Sequence, residues 1–237
     1  QVLMGGLSNS LLNYGPVKVF AENFKDCESH DQKFEYKVTR VSGLKLFRKY
    51  RKAILVNNYL KENTSIKALI ADHWKSLEHI DKKKLFGIKT LCLIHSKEIN
   101  HPLNSSLNKR VIKSLSKADF IISNSNFTKR LAIDFGVSEK IIKVINPGID
   151  RFKKPNDENL NKAEELLKDS FPRLITVARL DKRKGQDKTI MTIRNLKEKF
   201  PKIKYICVGY GDEEENLQKL AYELHLENNV HFLKNIT

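Results

Sequence analysis

Short apolar runs alternate along the chain with longer amphipathic segments, and each kind predicts its own element. The apolar runs, rich in β-branched residues, are Val17 to Ala21, Ala68 to Ala71, Thr90 to Ile94, Asp119 to Ser123, Ile141 to Ile145, Leu174 to Ala178, Lys204 to Val208 and Val230 to Leu233. Their length and composition predict strands. Continuous apolar character, as in Ile121-Ile122 or Ile206-Cys207-Val208, fits strands covered on both faces. Between them, Leu107, Val111, Ile112 and Leu115 recur at helical spacing, as do Leu217, Leu220, Ala221 and Leu224. Ile190, Ile193, Leu196 and Phe200 extend the pattern into a helix that has to stop near Pro201, because proline cannot donate to the helical ladder. Strands alternating with helices predict an α/β fold built on parallel sheets.

The pattern weakens from Ile149 to Phe171, a polar stretch that carries Pro155 and Asn156 and meets Pro172. One weak amphipathic helix, on Leu160, Ala163, Leu166 and Leu167, lies within it. A domain boundary is expected there, dividing the chain into residues 1–151 and 152–237. Gly5-Gly6 reads as a Gly-rich turn with almost no strand before it, and the last apolar run has no crossover helix after it. The first strand of the first domain is therefore expected to be largely missing, and the second domain to be incomplete.

Composition changes this picture little. With 237 residues, 40% of them hydrophobic, the chain can bury more than one core. No apolar stretch reaches the roughly 18 residues of a membrane span, and Gln1 to Asn13 lacks the features of a signal peptide. Cys27, Cys92 and Cys207 are far apart, and two of them sit in apolar runs, so buried thiols in a reducing, cytoplasmic setting are expected. The formal charge of +16 is spread through nearly every segment, which favours solubility over a dedicated nucleic-acid surface. Leu44 to Lys52 is denser: five cations stand among Leu44, Leu46, Phe47 and Tyr50. It reads either as a core helix with a basic exposed side or as a contact for an anionic membrane.

The chemistry concentrates where Val177-Ala178-Arg179-Leu180-Asp181-Lys182-Arg183-Lys184-Gly185 leaves a strand and enters a helix. A loop at the carboxyl end of a parallel strand offers backbone N–H groups and the positive end of a helix dipole to a phosphate. Arg179 and Lys184 add cationic donors, and Gly185 removes a side chain where backbone comes close. His95 ends another strand, where side chains face a ligand crevice; a histidine that caps the strand or bonds a backbone carbonyl is the other reading. His73 and Trp74 end a third, with acceptor binding and plain packing both open. Glu98 reads as an ordinary ion pair with a neighbouring lysine, ahead of contact with an acceptor. The histidines do not cluster with Asp, Glu or Cys at ligand spacing, so no metal site is expected.

The loop from Ala178 to Gly185 resembles the donor-phosphate loop of the retaining glycosyltransferases of family 4, an arginine followed after a short spacer by Lys-Gly. Four further segments agree in order: Gly5-Gly6-Leu7-Ser8, Ala118 to Ser125, Val144 to Asp150, and Val208-Gly209-Tyr210-Gly211-Asp212 with Val230 to Leu233. The resemblance implies a GT-B fold of two Rossmann-like domains and transfer of a sugar from a nucleotide-diphosphate sugar to a glycan or lipid-linked hydroxyl. It assigns the donor diphosphate to Gly5, Gly6, Arg179, Lys184, Gly209 and Gly211, and places His95 beside the transferred sugar. It implies no cofactor and no metal, and closure of the domains about Gly148. The family's paired-glutamate segment would follow residue 237, so this piece alone is expected to be inactive. An epimerase or phosphorylase of the same plan, or a basic nucleic-acid module, are the rival readings.

Overall fold

The computed structural model describes residues 2–148 and 154–234, and the chain divides into two units, Gln1–Asp150 and Arg151–Thr237. Ile149 and Asp150, part of the segment read as closing the first domain, lie outside the described residues. Unit 1 runs α1 (Val2–Leu11), β1 (Lys18–Glu22), α2 (Cys27–Asp31), β2 (Lys37–Val41), α3 (Arg48–Glu62), β3 (Ala68–Ala71), α4 (Trp74–Glu78), β4 (Lys89–Ile94), α5 (Ser96–Ile99), α6 (Ser106–Leu115), β5 (Phe120–Ser123), α7 (Asn126–Asp134) and β6 (Ile142–Val144). Unit 2 runs α8 (Asp157–Leu166), β7 (Arg173–Val177), α9 (Gln186–Leu196), β8 (Lys204–Val208), α10 (Glu214–Glu223) and β9 (Val230–Leu233). The sheets are β1-β2 and β3-β4-β5-β6 in unit 1 and β7-β8-β9 in unit 2, and every pairing is parallel. Strand and helix alternate because a parallel neighbour needs a crossover that carries the chain back to the end of the sheet where the previous strand began.

The amphipathic segments cover the sheets as their periodicity requires. Val111 and Leu115 of α6 and Ala132 of α7 close over Cys92, Ile94 and Ile121 in unit 1. Ile190 and Ile193 of α9 and Leu217 and Ala221 of α10 close over Tyr205 and Cys207 in unit 2. Ser105 and Ser125 cap α6 and α7 by accepting from Asn108 N and Thr128 N, each at 3.1 Å. Asp119 accepts from Thr90 N at 2.7 Å, fixing where β4 meets β5.

Three expectations need correction. Gly5 and Gly6 form no turn: both lie inside α1, which tolerates them at a cost of about 1 kcal/mol each relative to alanine. The free N–H groups of a helix belong to its first turn, and these two residues lie past it, so they do not present donors as a turn would. A strand the apolar pattern passes over, β2, is Lys37-Val38-Thr39-Arg40-Val41, whose two cations interrupt any apolar run. The basic stretch from Leu44 to Lys52 is not one helix. Residues Lys45–Phe47 make a 3₁₀ turn, and α3 begins at Arg48.

Candidate functional site

After β7 the chain crosses Ala178 to Asp181, makes a 3₁₀ turn over Lys182–Lys184, and enters α9 through Gly185. Asp181 builds the turn: its carboxylate accepts from Arg183 N at 3.0 Å and from the Arg183 guanidinium at 2.8 Å. The side-chain bond from Arg183 holds the Asp181 carboxyl far below the usual carboxylate range. The Arg183 charge is thus answered locally. Arg179 and Lys184 are exposed, and neither side chain has a hydrogen bond or ion pair among the described residues. Gly185 adopts φ 71°, ψ 22°, the left-handed conformation glycine reaches most easily, and supplies no side-chain cap, so the first N–H groups of α9 stay open. The result is two uncommitted cations beside an open helix N-terminus, an arrangement that suits an anion.

Gly209 and Gly211, expected at the diphosphate, have a nearer reason to be glycine. A Cβ on Gly209 would fall 2.0 Å from the Ala178 carbonyl oxygen, and one on Gly211 would fall 2.2 Å from that of Leu180. The loop after β8 therefore lies backbone to backbone on the loop after β7. Leu180 N donates to Tyr210 O at 3.1 Å and Ala178 N to Val208 O at 3.0 Å, so the contact holds the residues on either side of Arg179. Gln186, which the sequence pattern does not single out, anchors the same loop from the other side. Asp181 was legible as a turn-forming residue, because Asp side chains bond their own backbone two residues on. The small cavity behind the loop, lined by Asp181, Lys182, Gln186, Asp187, Glu213 and Leu217, has about 10 Å³, room for one water.

In unit 1 the carboxyl ends of the strands carry a row of polar residues. His73 follows β3, His95 follows β4, Asn124 follows β5 and Asn146 follows β6; Asn146 Nδ2 donates to Asn124 O at 3.1 Å. His95 N donates to the Glu98 carboxylate, which makes Glu98 a helix cap and not the lysine ion pair expected of it. His73 Nδ1 accepts from Lys75 N at 3.0 Å, and burial, ahead of the neighbouring charges, lowers its pKa. Trp74 is buried and donates through Nε1 to Glu98 O at 3.0 Å, so its ring packs. Beside these residues a cavity of about 370 Å³ is lined by His73, Trp74, Lys75, Lys97, Glu98, His101 and Leu107. Among the described residues no three His, Cys, Asp or Glu side chains come together as a metal site, and no helix is long and apolar enough to cross a membrane.

Parallel α/β units with a cationic loop at a strand end define the class of Rossmann-like folds, and solved structures narrow the fold to GT-B. Anabaena HepE in complex with UDP superposes with a TM-score of 0.77 at 19% identity, covering 98% of this chain and 65% of that one. A glycosyltransferase from Rickettsia africae gives 0.76 at 16% identity, covering 100% and 65%. The sequence profile of Glycosyltransferase Family 4 matches residues 16–151, and that of Glycosyl transferases group 1 matches residues 157–237. The chain belongs to glycosyltransferase family 4. An uncharacterized glycosyltransferase of Methanocaldococcus jannaschii is 28% identical over 202 residues, 80% of this chain and 47% of that protein. The GDP-mannose-dependent alpha-(1-6)-phosphatidylinositol monomannoside mannosyltransferase of Mycolicibacterium smegmatis is 31% identical over 122 residues, 50% of this chain and 32% of that protein. The chain spans between about a third and a half of these sequence relatives.

Proposed function

We propose that the protein transfers a hexose-type sugar from a nucleotide-diphosphate sugar to a hydroxyl acceptor, glycan or lipid-linked, with retention at the anomeric carbon. The observation that carries the reading is the loop after β7, where Arg179 and Lys184 stand uncommitted beside the open end of α9. As the bond from the anomeric carbon to the diphosphate lengthens, negative charge collects on the leaving group. Cations and N–H dipoles already in place stabilise that state more than the ground state. Family membership supports the donor class. One relative is named for GDP-mannose and one structural neighbour holds UDP, and what the two share is the diphosphate.

In this reading Arg179 and Lys184 meet the diphosphate directly and no divalent cation is needed, so a chelator leaves the rate unchanged. His95, fixed at its backbone by Glu98, sits beside the transferred sugar and donates a hydrogen bond as charge develops. Gly5 and Gly6 contribute only the lack of side chains where a phosphate approaches. Gly209 and Gly211 act by holding the loop that carries Arg179. The test is Arg179→Ala and Lys184→Ala in the whole protein, each expected to cost roughly 2 to 4 kcal/mol in turnover, as for loss of one preorganised electrostatic donor. Near-normal rates in both variants defeat the assignment. Release of nucleoside diphosphate only when acceptor is present separates transfer from epimerase or phosphorylase chemistry.

A further inference from the structure

The turn that leaves the carboxyl end of β2 holds apolar side chains out in solvent. Leu44, Leu46 and Phe47 are 73%, 75% and 50% exposed, and Tyr50 and Ile54 farther along α3 are 44% and 57% exposed. Phe47, Tyr50 and Ile54 stand at i, i+3 and i+7, so they share one side of the helix. The helix buries itself through other residues, Ala53, Val56 and Leu60, which pack with Ile80 and Leu85. The exposed row is therefore a second apolar face. The turn is held in place by its own contacts: Arg48 Nε donates to Gly43 O at 2.8 Å and an Arg51 guanidinium nitrogen to Leu44 O at 3.0 Å. Gly43 sits at φ +92°, and a Cβ there would meet the Arg51 guanidinium at 2.5 Å. A glycine and two arginines thus fix an apolar tip outward, and apolar patches rimmed by polar groups mark interaction sites.

The charge around the tip selects the partner. From Tyr36 to Lys61 the sequence carries eight Lys and Arg and no Asp or Glu. At the tip itself Lys45, inside the turn, is exposed, and Arg48 and Lys49 follow at the start of α3, 4.0 Å from Glu22 and 3.6 Å from Glu78. Leucines at the apex offer nothing to phosphates or bases, and the Tyr50 ring is taken by His79 at 4.4 Å, which argues against a nucleic acid. Apolar side chains that enter the acyl boundary beneath a layer of cations are the mode of an interfacial lipid contact.

We propose that the Leu44–Phe47 turn and the adjoining face of α3 dock unit 1 on an anionic phospholipid surface. The same end of α3 is tied to α4, the helix that His73 opens: Lys52 Nζ lies 3.4 Å from Ser76 Oγ. Docking there brings the His73 cavity to the bilayer, so that, if the transfer reading holds, the acceptor is lipid-borne; that last step alone rests on the proposed function.

Trp74 is the chain's only tryptophan and is 1% exposed, so a Phe47→Trp probe reports insertion over a constant background. Its emission shifts to the blue with vesicles of phosphatidylcholine and phosphatidylglycerol and stays put with phosphatidylcholine alone. In co-sedimentation with the mixed vesicles, Leu44→Ser with Leu46→Ser weakens binding about tenfold or more, and Lys45→Glu weakens it at least about fivefold. Phe86→Ser, at a 94% exposed phenylalanine that follows the turn Lys82–Leu85, leaves binding unchanged. Undiminished sedimentation of the double serine variant, an equal loss in Phe86→Ser, or a blue shift that follows protein concentration without lipid each overturns the proposal. Arg179→Ala leaves vesicle binding intact, so failure of docking and failure of the transfer reading appear in different assays.

Discussion

The side-chain amide of Gln186 donates to the main-chain carbonyl of Arg179 across 2.9 Å, from a residue only 2% exposed. The first residue of α9 thereby fixes the backbone of the arginine seven positions before it. Gln186→Leu keeps the volume and removes the donor, leaving the Arg179 carbonyl without its partner. The expected result is a donor KM raised several-fold with a stability loss of about 1 kcal/mol, because one net hydrogen bond is removed. Steady-state kinetics and urea unfolding measured on the same variant check it; an unchanged KM would show that the amide only packs.

The four glycines named for the donor site separate into two kinds by stability. Gly209→Ala and Gly211→Ala each drive a Cβ into a backbone carbonyl and should destabilise by about 1 to 3 kcal/mol or more. Gly6→Ala meets nothing within 4 Å inside α1 and should stabilise by roughly 0.5 to 1 kcal/mol. Thermal unfolding of the three variants measures the contrast directly. If Gly6→Ala also depresses turnover while stabilising the fold, the missing side chain at that position serves the ligand.

Lys117 ends on the carbonyls of Leu77, Glu78 and Ile80, at 2.9, 2.8 and 2.9 Å. One ammonium thus closes the C-terminal end of α4 and the turn after it, a place where the helix dipole also favours a cation. Lys117→Met keeps the stem and strips the donors, and should cost about 1.5 to 3 kcal/mol in urea unfolding, the range for hydrogen bonds to a charged group. A loss below about 0.5 kcal/mol would mean that water replaces the ammonium there.

His73, His79 and His231 all have pKa values below the ordinary imidazole value of 6.5, with burial the leading cause in each. Protonation is therefore harder in the folded chain than in the unfolded one. As pH falls through 6.5 the unfolded state takes up more protons, so stability declines there and recovers above it. Asp31, whose carboxyl is lowered first by its bond from Arg40, loses its contribution only below the carboxylate range. The urea midpoint should drop between neutral pH and pH about 5.5 with little change in slope. A midpoint constant over that interval would contradict the burial of these rings.

The sequence by itself determined the parallel α/β class, the strands it predicted to within one residue at each end, and the loop from Arg179 to Gly185. These are local properties: β-branched runs, helical periodicity and a strand-loop-helix order can be read without knowing what lies opposite. It left Trp74 open between packing and acceptor binding, and burial of the ring decided for packing. Tertiary structure decided the rest. β2 exists because Lys37 to Val41 pairs with β1, a partner its own composition does not announce. Gly209 and Gly211 are required by carbonyls some thirty residues earlier in the chain, Glu98 is claimed by the His95 N–H and no lysine, and Leu44 and Leu46 stay exposed because the α3 core closes elsewhere. Each of these depends on which groups meet in space, and the pattern of neighbours along a chain does not carry that information.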